Sequence, residues 1–404
     1  MAEEDRIVKI TDVKLRLVSG TMPTEGEFWE ERLIRPIDIY PEHKGELMRH
    51  GKTRATGATG YQHEAVFVQI ETDEGVTGLG GPITRDIAYI VDSDFRHLLI
   101  GADPIAGERI WDQLYRHAIH GRKGNSMLAI SAIDCTLWDL RGKAARMPVY
   151  QLLGGPVRKS FPAYASMLGF SVEPGRVRER AAAFAAEGYT AQKWFFRDGP
   201  TDGRAGIARN VALVKNVREA GGPEIDIMLD AWSSWDVPYT VQMSERLAEY
   251  APRWIEEPVL ADKIDACAEI RRRSKVPIAT GEHEYTRWGI KALLDARAAD
   301  VIQADIYWAG GISETLKIAA LCSAYDIPLI PHGHSTLTNA HFIAAQSPTA
   351  SPILEYLVKW NEVHQYFLLN PLKPVNGTIT MPDRPGMGLE LDPAKIEAER
   401  ELRW

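Results

Sequence analysis

The chain has 404 residues, 45% of them hydrophobic and 25% charged, with a formal charge of −8. That length and apolar content exclude a disordered chain and a small module held by staples. The acidic balance argues against a general binder of phosphate backbones, which carries a basic footprint.

The amino terminus puts acids ahead of its first apolar run and shows no long hydrophobic leader. No run has the length needed to span a bilayer, so the expectation is a cytoplasmic protein with neither membrane nor nucleic acid as partner. "VKITDVKLRLVSG" and "AVFVQIETDEGVTGLG" alternate or cluster β-branched residues and end in Gly-rich turns, as antiparallel strands do. Residues 21–60 between them mix charge, Pro, Gly and aromatics without a period and read as a long loop region, a feature that is often functional. Residues 86–152 read as helices up to the Gly-Gly-Pro punctuation at 154–156.

Short apolar runs then recur at helix-plus-strand intervals: "FPAYASML", "TAQKWFF", "IDIMLDA", "RWIEEP", "VPIATGEH", "DVIQADI", "IPLIPHG" and "PILEYL". Eight such runs, most separated by amphipathic stretches, predict a parallel β/α barrel. Residues 371–393 read as turns and short strands returning to the amino-terminal domain. Cys135, Cys267 and Cys322 have no zinc-site spacing and read as reduced packing residues.

Asp230, Glu256 and Glu282 fall at the carboxyl ends of successive runs, with both separations equal to 26 residues. One βα unit of that length advances the chain by one strand, so the three acids converge at the barrel rim. Such an oxygen cluster suits Mg²⁺, where single acids would merely cap helices or pair with bases. Glu257 follows directly, and alternation sends one of the two glutamates to the site and the other to the helical layer or a neighbouring loop. Spacing alone leaves open which is which.

Asp305 and His332 come from the next two strands. An Asp that accepts a hydrogen bond from one imidazole nitrogen leaves the other nitrogen able to take a proton; a bland structural pair is the alternative. Lys193 can orient a substrate carboxylate or stabilise an enolate oxygen, or simply form a rim salt bridge. Phe195 shares its face and cannot act as a base. Glu355 can donate to or organise an anionic oxygen if protonated, with a salt bridge as the alternative. A divalent ion facing an Asp–His pair suits proton removal α to a carboxylate, followed by loss of a β leaving group.

The ordered run "KWF", "LDAW", "WIEEP", "GEHE", "ADIYWAGG", "PHGHS", "ILEYL", together with "YPEHK", "LLGGPVR" and "PVNG", resembles the mandelate racemase-like branch of the enolase superfamily. Within it the chain is most similar to L-rhamnonate dehydratase-like acid-sugar dehydratases. The resemblance implies a modified (β/α)7β TIM barrel with an α+β capping domain formed by both chain ends. The corresponding division is 1–128 for the amino-terminal cap, 129–358 for the barrel and 359–404 for the return to the cap.

The resemblance also implies metal ligands Asp230, Glu256 and Glu282, choosing Glu256 over Glu257, with Mg²⁺ as cofactor. It implies catalytic His332, Asp305 and Glu355, and a substrate-binding Lys193. Phe195 stands where the racemases carry a second basic residue, which disfavours two-base racemisation. In the cap motif "RLIRPIDIYPEHKGEL" the positions expected to hold a substrate-facing His and Arg are Arg32 and Leu47. Arg32 is the residue expected to bind substrate, among the neighbouring Arg35, His43, Lys44 and Arg49. His283 and His334 are expected to contact substrate hydroxyls.

The implied reaction is Mg²⁺-dependent dehydration of an L-configured acid sugar, of L-rhamnonate, L-lyxonate or L-mannonate type, to its 2-keto-3-deoxy acid. Its rivals are an acid-sugar epimerase or racemase, and a catalytically silent metabolite-binding protein. A homo-oligomer, an octamer, is the implied assembly.

Overall fold

The computed structural model describes residues 8–24, 26–44, 54–55 and 60–404. Leu47 and Arg49 lie outside the described residues. In chain order the strands are β1 (Ile10–Pro23), β2 (Arg54–Ala55), β3 (Gly60–Thr72), β4 (Thr77–Ile83), β5 (Ser160–Ser166), β6 (Ala191–Phe195), β7 (Asp226–Asp230), β8 (Trp254–Glu256), β9 (Ile278–Thr280), β10 (Val301–Ile302), β11 (Leu354–Leu357), β12 (Thr378–Thr380) and β13 (Ala398–Leu402). They form two sheets. An antiparallel cap sheet runs β13-β1-β3-β2 with β4 on β3, and a parallel sheet runs β10-β9-β8-β7-β6-β5-β11.

The parallel sheet closes through the segment around Leu329. Its bridge to Ile302 is parallel, and the Leu329 N–H donates to Ala350 O at 2.8 Å just before β11. Helices Pro174–Ala186, Gly203–Gly221, Val237–Leu247, Ile264–Arg273, Thr286–Asp295, Gly311–Ala324 and Thr336–Ala344 follow the successive strand positions. The expected alternation of seven β/α units and a final strand is therefore present among the described residues. The barrel lumen is filled by one side chain from each strand position: Tyr164, Ala191, Met228, Trp254, Ala279, Val301, Ile330 and Ile353. A packed layer of this kind makes the barrel a core rather than a pore.

The cap binds the barrel through buried polar struts. Helix Asn125–Ala145 packs on β4, where a Cβ on Gly78 or Gly80 would stand 2.5 Å from Thr136 O or 2.1 Å from Thr136 Oγ1. From the same helix, buried Asp134 accepts from Ser313 N at 2.9 Å and Ser313 Oγ at 2.6 Å, and Asp139 accepts from Leu79 N and Met387 N. The division drawn between residues 128 and 129 cuts this continuous helix, so the helix reads better as part of the cap, with the barrel beginning at β5.

Two other expectations change. Residues 371–393 reach both parts: β12 pairs antiparallel with β5 of the barrel while the Met387 N–H donates to Asp139 of the cap helix, and β13, beyond them, completes the cap sheet on β1. The sequence of β13, "AEREL", lacks the apolar alternation of a half-buried strand because it is an edge strand, with only Leu402 buried. Charged edges of this sort discourage pairing with a second chain. The region 21–60 also holds more structure than a loop: β1 extends to Pro23, and 3₁₀ turns span Pro36–Ile39 and Pro41–His43.

Cys135, Cys267 and Cys322 are buried and unpaired with one another. Among the described residues no helix is long and apolar enough to cross a membrane.

Candidate active site

Strand side chains repeat their facing every two residues, so the layer above the apolar plug falls two positions later on each strand. Those positions hold Ser166, Lys193, Asp230, Glu256, Gly281, Gln303, His332 and Glu355. An apolar layer thus gives way, in one step toward the strand carboxyl ends, to an almost wholly polar one. Gly281 is the exception. With φ at +122° it turns the backbone so that the next residue, Glu282, enters the ring.

Within this layer the charges pair closely. Lys193 Nζ lies 2.6 Å from Glu256 Oε1, 2.7 Å from Glu355 Oε1 and 3.6 Å from Asp230 Oδ2, and all four side chains are buried. Glu256 Oε2 also accepts from Trp254 Nε1 at 3.0 Å and Gln303 Nε2 at 2.9 Å. Trp232 Nε1 donates to Glu282 Oε1 at 3.2 Å, and the Trp232 N–H to Asp230 Oδ1 at 2.9 Å.

Burial, reinforced by the Glu256 charge, pushes the Asp230 carboxyl well above its usual range, despite the Lys193 ammonium. Burial likewise lifts Glu282 to about 7, with Glu257 and Glu256 adding to it against His332 and His283. Carboxyls raised in this way mark a site with more buried negative charge than its own cations neutralise. The donor set, three carboxylates at the end of successive parallel strands, therefore fits a hard divalent cation.

The acid/base pair is formed by residues 27 apart in the chain: His332 Nδ1 is 2.7 Å from Asp305 Oδ2, and Asp305 Oδ1 accepts from the Tyr307 N–H at 2.7 Å. This fixes Nε2 as the nitrogen facing the carboxylates, 3.7 Å from Glu282 Oε2. Burial opposes a charge on His332, but Glu282 and the Asp305 hydrogen bond outweigh it and raise the imidazolium to about 10. His332 O is held by Asn339 Nδ2 at 2.7 Å.

Glu257 departs from simple alternation. Its φ is +40°, a left-handed value that is uncommon outside glycine. The turn brings its carboxylate not to the helical layer but to the barrel mouth, where Oε2 meets His283 Nδ1 at 2.7 Å. Glu257, Glu282 and His283 are consequently the residues whose ligand atoms lie within 4.8 Å of one another, whereas Lys193 sits among the acids of the other set. Because Glu257 and His283 already form an ion pair, with Glu257 the main charge raising His283 to about 9 against its burial, that second grouping is internally neutralised.

One expectation needs correction on physical grounds. Arg32 is not presented to the barrel mouth. Its guanidinium is 98% buried and grips Asp38 through two contacts, at 2.5 and 3.0 Å, and the carbonyls of Leu33, His43 and Lys44. It holds the cap loop, whose Ile34 N–H in turn donates to Phe196 O at the end of β6.

Glu355 takes the salt-bridge alternative, with Lys193 Nζ 2.7 Å from its Oε1. Burial raises it, but Lys193 and His332 outweigh that and hold it below the usual carboxylate range, and its Oε2 accepts from the Gly333 N–H at 2.9 Å. His334 is pushed well below its usual range by burial and by His364 and His332, so it stands in the wall as a neutral imidazole.

Ser166, Gln303, Trp232, Trp254 and Trp308 were missed. Gln303 was detectable, being a polar residue in a buried run two positions before Asp305. Trp308 lies 4.9 Å from His332 between ring centroids, and 5.7 Å from both His283 and His334. Its position in a turn carries no periodic signal.

Comparison with known proteins agrees with this architecture. Residues 46–154 match the model of the mandelate racemase / muconate lactonizing enzyme amino-terminal domain, and residues 176–395 that of the enolase carboxyl-terminal domain-like family. The chain is 34% identical to the L-rhamnonate dehydratase of Saccharopolyspora erythraea, over 97% of this chain and 99% of that one. Among solved structures it resembles rhamnonate dehydratase from Gibberella zeae complexed with Mg, with a TM-score of 0.82, 30% identity and coverage of 98% and 97% of the two chains. It also resembles a racemase from Streptomyces coelicolor A3(2) with bound magnesium, with a TM-score of 0.78, 29% identity and coverage of 96% and 98%.

Proposed function

Because the chain belongs to the mandelate racemase / muconate lactonizing enzyme family of the enolase superfamily, we propose that it is an acid-sugar dehydratase. It converts an L-configured acid sugar of L-rhamnonate, L-lyxonate or L-mannonate type into the 2-keto-3-deoxy acid, with Mg²⁺ as cofactor. The observation that carries the reading is the Asp305–His332 pair at 2.7 Å beside a ring of over-charged buried carboxylates. The position two residues after Lys193 holds the buried ring of Phe195 and not a second basic group.

Asp230, Glu256 and Glu282 would hold Mg²⁺, which when bound supplies Lewis-acid stabilisation of the charge that develops on the substrate carboxylate. His332 Nε2 takes the proton from C2 while Asp305 keeps Nδ1 protonated and the ring oriented. Lys193, organised by Glu355, places a positive charge beside the oxygen on which negative charge accumulates. The His332 imidazolium then returns its proton to the departing 3-hydroxyl. The C2–H and C3–O bonds break, one water leaves, and the enol product ketonises to the 2-keto acid.

Two-base racemisation is disfavoured because Lys193 is engaged with Glu256 and Glu355 and Phe195, two residues later, offers no second basic group. A panel of L-configured acid sugars, assayed for 2-keto acid with added Mg²⁺, tests the reading. Formation from at least one acid, abolished by EDTA and restored by Mg²⁺, is expected; no keto acid from any member would reject it.

A further inference from the structure

The barrel mouth holds a second carboxylate–imidazole pair built like the first. Asp305 Oδ2 meets His332 Nδ1 at 2.7 Å, and Glu257 Oε2 meets His283 Nδ1 at the same distance. Both carboxylates are buried. One indole packs on both imidazoles: Trp308 lies 5.7 Å from His283 and 4.9 Å from His332 between ring centroids, so the two rings line the same stretch of the mouth.

The mechanism above gives Glu257 no part, yet its carboxylate is committed to this one neighbour. Its Oε1 takes the His283 backbone N–H at 3.4 Å, and its Oε2 takes the Ser233 hydroxyl at 3.4 Å beside the imidazole. With Nδ1 anchored, the ring presents Nε2 elsewhere. That nitrogen has no partner among the described residues, and the His283 side chain keeps 32% of its surface exposed while Glu257 keeps 1%.

We infer that Glu257 is a positioning residue for substrate binding: it locks the His283 ring so that Nε2 meets a hydroxyl of the acid sugar. The inference rests on the dehydratase reading above. A hydroxyl both donates and accepts, so it pairs with Nε2 whether or not that nitrogen carries a proton. Fixing the ring in advance removes the cost of ordering it when substrate arrives, which strengthens binding rather than the chemical step. The rival role for Glu257 is a share in holding the cation, since its ligand atom lies within 4.8 Å of those of Glu282 and His283.

The test reads kcat and KM for whichever of L-rhamnonate, L-lyxonate and L-mannonate the wild type converts fastest, and the Mg²⁺ affinity of the free protein by calorimetry. His283→Ala is expected to raise KM about tenfold, the scale of one hydrogen bond, with kcat and Mg²⁺ affinity little changed. Glu257→Asp keeps the charge but stops one methylene short of Nδ1, and is expected to raise KM to the same degree. Glu257→Gln, whose amide oxygen still accepts from Nδ1–H, is expected to recover most of that loss. Because both residues act through one contact, the double variant of Glu257→Asp and His283→Ala should be no worse than His283→Ala alone.

An additive double variant, a wild-type KM in Glu257→Asp, or a Gln variant as impaired as the Asp one overturns the positioning role and leaves dehydration standing. A tenfold loss of Mg²⁺ affinity in either Glu257 variant also overturns it and assigns the residue to the cation. His283 is half-buried, so His283→Ala should fold, with its melting temperature as the check, and a wild-type KM there overturns the contact by itself. Turnover of none of the three acids by the wild type rejects the dehydratase reading and this inference with it.

Discussion

His332 draws its reactivity from neighbours supplied by two strand ends and the helix Thr336–Ala344. Asp305 fixes the tautomer, Asn339 holds the carbonyl, and Glu282 faces the free nitrogen. His332→Asn keeps a polar amide facing Asp305 but removes the ring and with it proton transfer, and is expected to lower kcat by about 10²–10⁴-fold, the usual contribution of a positioned acid/base. Steady-state kinetics with circular dichroism as a check on folding would measure this; a kcat within threefold of wild type would reject the role.

Much of this ring is legible in the sequence. The repeat of 26 residues between Asp230, Glu256 and Glu282 reports the length of a βα unit, and the plug-to-polar register on each strand reports facing. The orientation of Glu257 was not legible, because its left-handed φ is imposed by the turn into the following loop. The ionised state of Glu355 was likewise hidden, since it depends on Lys193 reaching it across the lumen.

Loops and edge strands set the finer geometry. Gly333 sits between the two histidines of "PHGHS", and a Cβ there would lie 2.8 Å from Glu355 Cγ and 3.0 Å from Leu357 Cγ. Gly333→Ala must displace either β11 or the His332 turn. It is expected to cost about 1–3 kcal/mol of stability, as overpacking does, and to reduce kcat more than it raises KM. Denaturant unfolding and kinetics would show this, and wild-type values for both would contradict it.

Arg32 acts at a different place. Arg32→Ala removes the buried arginine partner of Asp38 and leaves only Arg35 on it, so the cost is expected to fall below the about 3–5 kcal/mol of breaking a buried pair outright. Here the loss should be felt as loosening of residues 26–44, read by faster proteolysis in that loop; an unchanged cleavage rate would count against the clasp. The barrel strands were readable from their periodic apolar runs, whereas β13 was not, because an exposed charged edge carries no burial pattern.

Across the whole molecule, cap and barrel are joined by buried groups whose protonation matters to folding. His341, wholly buried, accepts the Tyr150 N–H at Nδ1 at 3.1 Å and meets Met387 O through Nε2 at 3.2 Å. Burial depresses it to about 4, with the Met387 contact opposing only in part. The unfolded chain therefore binds a proton near pH 6.5 that the folded protein refuses until about pH 4. Its contribution to stability is fully present above about 6.5 and is lost as pH falls through that window, by up to roughly 3 kcal/mol. Urea midpoints measured from pH 7.5 down to 4.5 should fall, and His341→Gln should flatten part of the slope; identical slopes in both proteins would dismiss the effect.

The family resemblance leads us to propose a homo-oligomer, an octamer, and light scattering on the purified protein would read its mass directly, a monomer contradicting the proposal.

The central claim is that a C2 proton is removed and a 3-hydroxyl lost at one site. Proton NMR of L-rhamnonate incubated with the enzyme and Mg²⁺ in D₂O addresses it most directly. The account predicts conversion to the 2-keto-3-deoxy acid with solvent deuterium incorporated at C3, none of it formed by His332→Asn. Exchange of the C2 hydrogen with the 3-hydroxyl retained would contradict it.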